Sequence, residues 1–336
     1  MRITDIPKDE QILFVCEKQS QMRNIHRGVT LALPHHEFVS YLCFNSLSAS
    51  RYVMPKDMKI SSAPIVMDPL LTRKNENNLI FHVVEGKLKK FFNLNPIGPY
   101  LKSTKHIVFA CDCDDRGAGM FRDLMMMEIG VDPLTRHFPA LLRDMEDPET
   151  IRNAIMAGEN TLNEGFRTMA CSYEAKRFFT YNWAVNALML FDHPAKESGN
   201  PENKFVSKYA LLTLYHMREV EQEEIGNLMR WMRDNPGTGK YHDQYAHIGS
   251  PTSYDAIITS LVQQGYLSTE DGRKHEITEN GRKFLSMLHP DCHDPDIAYR
   301  ISQWGEDWPN SRPKMEKYIR TYFGKQKRYL SRIKES

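Results

Sequence analysis

The sequence predicts two domains of different class: an α/β domain with a parallel sheet and flanking helices over residues 1–145, and a mainly helical domain over residues 146–336. Three observations predict it. Two short apolar runs, residues 11–16 and 107–110, read as buried strands, and each stops at acidic residues. From Asp147 onward the apolar positions recur at helical spacing. Between residues 251 and 288 a helix, a tight hairpin and a second helix come in succession.

The length of 336 residues fits two domains on a prior of roughly 150 residues each. Apolar content of 41% and charged content of 26% are those of a globular chain. The net charge of +1, from 44 basic and 43 acidic side chains, does not by itself announce nucleic acid. No run approaches 18 apolar residues, which excludes a membrane-spanning helix. The sequence opens on no signal-peptide pattern, and its six cysteines are scattered, so a reducing bacterial cytoplasm is the expected compartment. Cys111 and Cys113 form a C-x-C without a second pair at zinc spacing, which argues against zinc.

Gln11-Ile-Leu-Phe-Val-Cys16 runs straight into Glu17-Lys-Gln-Ser20 and a basic helix over residues 21–27. Residues 28–100 are broken by Pro34, Pro55, Pro64, Pro69, Pro96 and Pro99. They read as an inserted, irregular segment that packs partly on the second domain, with a helix over 78–92. The strand at 107–110 ends in Asp112-Cys-Asp114-Asp115, and Gly117 and Gly119 then open a helix rich in Met and Leu. A buried strand that stops at clustered carboxylates suits Mg²⁺, because a hard cation needs oxygen ligands on a rigid support. A polar loop whose Asp caps the next helix is the plain alternative. In α/β sheets, sites form outside the carboxyl ends of parallel strands, so Glu17, Asp112 and Asp114 are expected to converge.

Asp147-Pro-Glu-Thr starts a helix, with Pro early and acids at the positive dipole end. Residues 172–190 form an amphipathic segment whose expected core face is Phe178, Trp183, Ala187 and Leu190. Residues 193–204 are a Pro/Gly/Asn-rich linker, and 205–233 read as helix. Pro236-Gly-Thr-Gly-Lys240 lacks the spacing and the preceding strand of a phosphate-binding loop. Thr252-Ser-Tyr-Asp255 caps a helix that ends at Gly265, and Asp271-Gly272 marks a type I′ hairpin with Arg273 and Lys274 at its tip. These are the parts of a winged helix, which lays a helix in a DNA groove and a wing on phosphates, and protein-binding versions share them. The tail, residues 312–334, holds nine Lys and Arg against Glu316, interleaved with Tyr318, Tyr322, Phe323 and Tyr329. Cations for phosphates and rings for unpaired bases suit single-stranded nucleic acid; a solvated helix face with core aromatics is the competing account.

In this order the pieces resemble the type IA DNA topoisomerases, above all the topoisomerase III-like enzymes of bacteria and plasmids. Leu13-Phe-Val-Cys-Glu17-Lys18-Gln-Ser20 is similar to the V-E-K-P-S motif that opens the Toprim domain, and Asp112-Cys-Asp114-Asp115-Arg116-Gly117 to D-P-D-R-E-G-E. Arg136-His-Phe-Pro-Ala-Leu-Leu resembles the segment leaving that domain, and Ser172-Tyr-Glu-Ala-Lys-Arg177 the helix entering the DNA-binding core. Ile248-Gly-Ser-Pro-Thr-Ser-Tyr254 with Gln264-Gly-Tyr266 is similar to I-G-R-P-S-T-Y…R-G-Y, and Tyr318-Ile-Arg-Thr-Tyr-Phe-Gly-Lys-Gln326 to the end of the core.

The resemblance implies a Toprim domain with Mg²⁺ held by Glu17, Asp112 and Asp114, and a catalytic set of these three with Lys18. It further implies DNA contacts from Ser20, Arg116, Arg177, Ser250, Thr252 and Tyr254, alongside those of Arg273, Lys274, Arg320, Lys325, Lys327 and Arg328. Two departures limit the activity. The gate arch and the tyrosine-bearing domain that come after the Ala-Lys-Arg helix in the family are replaced here by a short loop, and no nucleophilic tyrosine in a Y-x-R-T context is expected in the chain, Tyr52, Tyr181 and Tyr254 included. The third acid of D-P-D-R-E-G-E is Arg116 here, the final one is Ala118, and the family's Arg in I-G-R-P-S is Ser250. The expected function is therefore binding of DNA, single-stranded by preference, together with Mg²⁺ and without full strand passage. Such a protein would be nucleoid- or plasmid-associated, alongside replication, conjugation or defence proteins. A Mg²⁺-dependent Toprim nuclease is one alternative, and a minimal topoisomerase with an unrecognised tyrosine or a partner-supplied gate is another.

Overall fold

The first strand, β1 (Ile12–Cys16), is five apolar residues buried on both faces, as the centre of a covered sheet requires. It leads directly into α1 (Gln19–Ala32). The unit continues with β2 (Val39–Phe44), β3 (Ser50–Tyr52), β4 (Leu71–Arg73), β5 (Asn78–Val84), β6 (Lys87–Asn93), α2 (Gly98–Ser103), β7 (His106–Phe109), α3 (Asp115–Ile129), α4 (Pro148–Ala157) and α5 (Glu164–Leu190). A computed structural model describes residues 1–44, 50–56, 58–73, 78–93, 96–143, 147–191, 206–242, 244–249 and 251–335. The chain divides into two units, Met1–Val53 with Leu71–Glu174, and Met54–Leu70 with Ala175–Ser336. The division falls inside α5 rather than at residue 145, since α4 lies against α1 in the first unit.

The main sheet has the order β6-β5-β2-β1-β7. Strand β1 runs parallel to β2 and to β7, whereas β5 and β6 are antiparallel additions, so the sheet is mixed and not the parallel one expected. The register places Ile12 beside His106 and Val15 beside Phe109, which brings both strands to the same carboxyl edge. Alternate residues face opposite sides. Leu13, Val15, Ile107 and Phe109 pack with Phe121, Leu124 and Phe166 on one side, and Ile12, Phe14 and Val108 with Ile25, Val29 and Ile151 on the other. The expected helix over 78–92 is instead the β5–β6 hairpin. Its turn is Glu85-Gly86, with φ of 53° and 72°, and the residues before it (Leu-Ile-Phe-His-Val-Val) favour a pleated strand.

The second unit continues with α6 (Lys208–Val220), β8 (Gln222–Glu224), α7 (Ile225–Arg233), α8 (Pro251–Gln263), β9 (Leu267–Glu270), β10 (Lys274–Ile277), α9 (Glu279–Ser286), α10 (Ile297–Glu306) and α11 (Arg312–Glu335). The helix expected over 205–233 is therefore interrupted at Glu221, whose φ is 65°, by a strand that joins a β8-β10-β9 sheet. The Asp271-Gly272 turn has the positive φ values (48° and 66°) expected of type I′. Phe178, Trp183, Ala187 and Leu190 are all in the core. The expected linker at 193–204 lies outside the described residues.

Residues 54–70 belong to this second unit through a pairing that composition does not announce. The buried amide of Asn186 accepts from the Ile65 N–H at 2.8 Å and donates to the Ile65 carbonyl at 2.6 Å. Asn182, one turn earlier on α5, does the same to Met67, with both distances 2.9 Å. Two side-chain amides thus satisfy an extended backbone that would otherwise lose its hydrogen bonds on burial. Among the described residues, no helix is long and apolar enough to cross a membrane.

Helices α1 and α4 approach so closely at Gly28 that an added Cβ would lie 2.5 Å from Ile151 Cβ and 2.9 Å from the Pro148 carbonyl oxygen. Gly28→Val is expected to destabilise the protein by about 1–3 kcal/mol through overpacking. A denaturant midpoint equal to that of the native chain would show that the two helices separate freely.

Candidate functional site

The parallel register delivers Glu17 from the end of β1 and Asp112 and Asp114 from the loop after β7 to one edge of the sheet. Lys18 Nζ donates to Asp112 Oδ2 at 3.0 Å, and Gln21 Nε2, on the first turn of α1, donates to Asp112 Oδ1 at 2.8 Å. Asp114 is the N-cap of α3, its Oδ1 accepting from the Gly117 N–H at 2.7 Å. Gly117 is required there, because a Cβ would collide with the Asp112 carbonyl oxygen. Arg116 Nη2 stands 3.6 Å from Glu17 Oε1. Glu17 is only 4% exposed, and its Oε2 has no hydrogen-bond partner among the described residues. Burial pushes the Glu17 carboxyl up; Arg116 opposes the shift, and Asp112 and Asp114 add to it. Lys18 is pushed up by its bond to Asp112.

The three acids expected to hold Mg²⁺ are thus neighbours, yet the donor set does not fit the ion. Mg²⁺ takes near-octahedral oxygen ligands at about 2.0–2.1 Å, one or two of them carboxylate oxygens free to coordinate and several of the rest waters. Both Asp112 oxygens are engaged by protein donors, Asp114 caps a helix, and two cations lie among the acids. Among the described residues no group of three or more His, Cys, Asp or Glu is placed to hold a metal. Ser20 is exposed on the first turn of α1.

In the second unit the basic tail resolves into two kinds of cation. Helix α11 buries Met315, Ile319, Tyr322, Phe323 and Leu330, so Tyr322 and Phe323 are core residues and not stacking platforms. Lys325 is paired with Asp291, and Lys327 donates to the carbonyls of Ser61 (2.7 Å) and Ala63 (2.8 Å). Arg312 is held by Asp68 and Glu316. By contrast Lys317, Arg320, Arg328 and Arg332 are at least partly exposed and make no ion pair among the described residues. At roughly 100° per residue these four fall within about 120° of arc opposite the core face, over about 22 Å of helix.

Beside this stripe is an open pocket of about 330 Å³, lined by Asp291, Asp294, Arg300, Tyr318, Thr321 and Lys325 among others. One Tyr-x-Arg-Thr string does occur, at Tyr318-Ile-Arg-Thr321 in this helix, away from where the resemblance puts the nucleophile. Sequence reasoning missed it as a candidate, although the string itself is the signal. Its chemistry is wrong for attack: Tyr318 Oη donates to Asp294 Oδ2 at 2.8 Å, and burial, reinforced by Asp294, pushes the phenol well above its ordinary value. Tyr181 and Tyr254 are buried and also pushed up by burial.

The helix–hairpin module is not basic. Helix α8 carries Asp255 and no Lys or Arg, and the hairpin sets Glu270, Asp271 and Glu276 beside the exposed Arg273 and Lys274. Arg177 lies half-buried on α5. Ser250 lies outside the described residues, as does the side chain of Thr252. Compared with known proteins, the chain matches no family model and no curated protein.

A carboxyl whose value is raised in the folded state takes up a proton on folding. Its stabilising contribution is complete below its ordinary value of 4.5 and is lost as pH rises through the folded value. Glu17→Gln is therefore expected to be more stable than the native protein at neutral pH, with the gap closing as pH falls below about 4.5. Paired denaturation curves at the two pH values check this; a variant less stable at neutral pH would mean that the carboxylate is satisfied in the fold.

Proposed function

We propose that the chain is a DNA-binding protein built on a topoisomerase-like Toprim domain and helical core, which holds a single strand along α11 without passing strands. The observation that carries this reading is the stripe of Lys317, Arg320, Arg328 and Arg332, four cations without internal counter-ions among the described residues, in a chain whose net charge is only +1. Cations in a line engage a phosphate backbone whatever its sequence. The preference for an unpaired strand rests on the adjacent pocket, since about 300 Å³ is enough for one small ligand and a paired base cannot leave its stack to enter without a penalty. The Toprim reading is supported by the strand–acid–helix order at the β1 and β7 ends. The order helix, strand, helix, helix, hairpin from α6 to β10 supports a winged-helix module, whose acidic surface fits a protein partner or a structural role better than a phosphate backbone. In the cell such a protein acts beside replication, conjugation or defence machinery at the nucleoid or a plasmid. The nuclease alternative needs a metal that the acid site is not arranged to take, and the minimal-topoisomerase alternative needs a tyrosine that is not held in a hydrogen bond to a carboxylate.

Binding of a labelled oligonucleotide across a salt series tests the reading. Changing Lys317, Arg320, Arg328 and Arg332 to Ala is expected to flatten the log–log salt slope by roughly 3, at about 0.7 per phosphate contact on a single strand. Lys325→Ala with Lys327→Ala should leave the slope nearly unchanged, because those two ammonium groups are engaged within the protein. Thr321→Trp, which fills the pocket, is expected to weaken single-strand binding by about tenfold and to spare duplex binding, on the scale of about 1–3 kcal/mol per accommodated base. Equal slopes for the native chain and the fourfold variant would remove α11 from the interface, and the absence of any shift with native protein would overturn the function.

A further inference from the structure

We infer that Arg116 takes the electrostatic place of a divalent cation, so that the acid site at the β1 and β7 ends is complete without metal. Three carboxylates gather at one sheet edge, and groups of like charge so close repel unless cations stand among them. In this chain both cations come from the protein. The Lys18 ammonium bridges to Asp112, and the Arg116 guanidinium faces Glu17 at 3.6 Å. Gln21 completes the coordination of Asp112 with a neutral amide, and Asp115, next to Arg116, receives a hydrogen bond from Ser172 at 3.4 Å. Glu17 Oε2 is the one buried oxygen of the group left without a hydrogen-bond partner among the described residues, which marks where an additional cation would be accepted if Arg116 were withdrawn.

The position of Arg116 makes the exchange testable. It lies on the first turn of α3 with its side chain 41% exposed, so shortening it opens no core cavity. A carboxylate there also suits the positive end of the helix dipole, which keeps Arg116→Glu foldable. That variant replaces a cation by an oxygen donor beside Glu17, Asp112 and Asp114, and ligand charge sets the affinity of oxygen sites for hard cations.

Thermal melting and calorimetric titration with MgCl₂ and MnCl₂, against NaCl at matched ionic strength and without nucleic acid, are the measurements. The native chain is expected to show no shift specific to the divalent ions. Arg116→Glu should show a saturable upward shift in melting temperature that EDTA reverses, and Arg116→Gln a smaller one. Adding Asp112→Asn to Arg116→Glu should abolish it. A divalent-specific shift in the native chain as large as that of Arg116→Glu would overturn the inference. So would a folded Arg116→Glu protein, verified by circular dichroism, that shows none, or a shift that survives Asp112→Asn. None of these outcomes bears on strand binding by α11, which is measured separately.

Discussion

The parallel pairing of β1 with β7 is the constraint on which the first unit depends. It joins residues 94 apart in sequence, Ile12 with His106, and closing so long a loop has an entropic cost that only burial on both faces offsets. Because parallel strands share a direction, their carboxyl ends coincide, and the residues leaving each strand meet at that edge. Strand β1 hands on to Glu17-Lys18, and β7 to the loop that carries Asp112 and Asp114, with Arg116 on the first turn of α3 just beyond. Helices α1 and α3 both begin there, so their N-terminal partial charges favour acids at the same place. The carboxylates are gathered by topology; Lys18 and Gln21 then engage Asp112, the Gly117 N–H engages Asp114, and Arg116 stands 3.6 Å from Glu17, whose Oε2 has no hydrogen-bond partner among the described residues.

Much of this edge is legible in the sequence, because its signals are local. Two short β-branched and aromatic runs, each stopping at acids, give both strands and the point where they converge. The Asp271-Gly272 turn declares its hairpin by residue type, as the Asp147-Pro148 pair declares its helix start. The segment 78–92 fails for a physical reason: Leu79 to Val84 is apolar except for His82 and shows no polar–apolar alternation, which a buried helix also lacks, and Glu85-Gly86 is a weaker turn signal than Asn-Gly or Asp-Gly. Strand β8 is only three residues long and escapes any periodicity. The attachment of residues 54–70 to the second unit is written in two asparagines on α5, whose role depends on a partner about 115 residues distant.

The tail separates composition from placement. A run of cations and aromatics reads equally as a nucleic-acid tract or as one amphipathic helix, and only the phase of the helix distinguishes them. In α11 the rings of Tyr322 and Phe323 fall on the buried face, while Lys325 and Lys327 fall on the flanks, where Asp291 and the carbonyls of residues 61 and 63 engage them. The cations that remain are those opposite the core. Like charges three or four residues apart destabilise a helix by about 0.2–0.5 kcal/mol per pair. Lys317 with Arg320 and Arg328 with Arg332 are two such pairs, and no ion pair relieves them among the described residues. Elsewhere in this unit the chain compensates its cations readily, as at Arg312 and Lys314. A helix that pairs its flanking cations internally and leaves one stripe unrelieved is stabilised when an external polyanion supplies the counter-charge, and a phosphate backbone does so along the whole stripe at once.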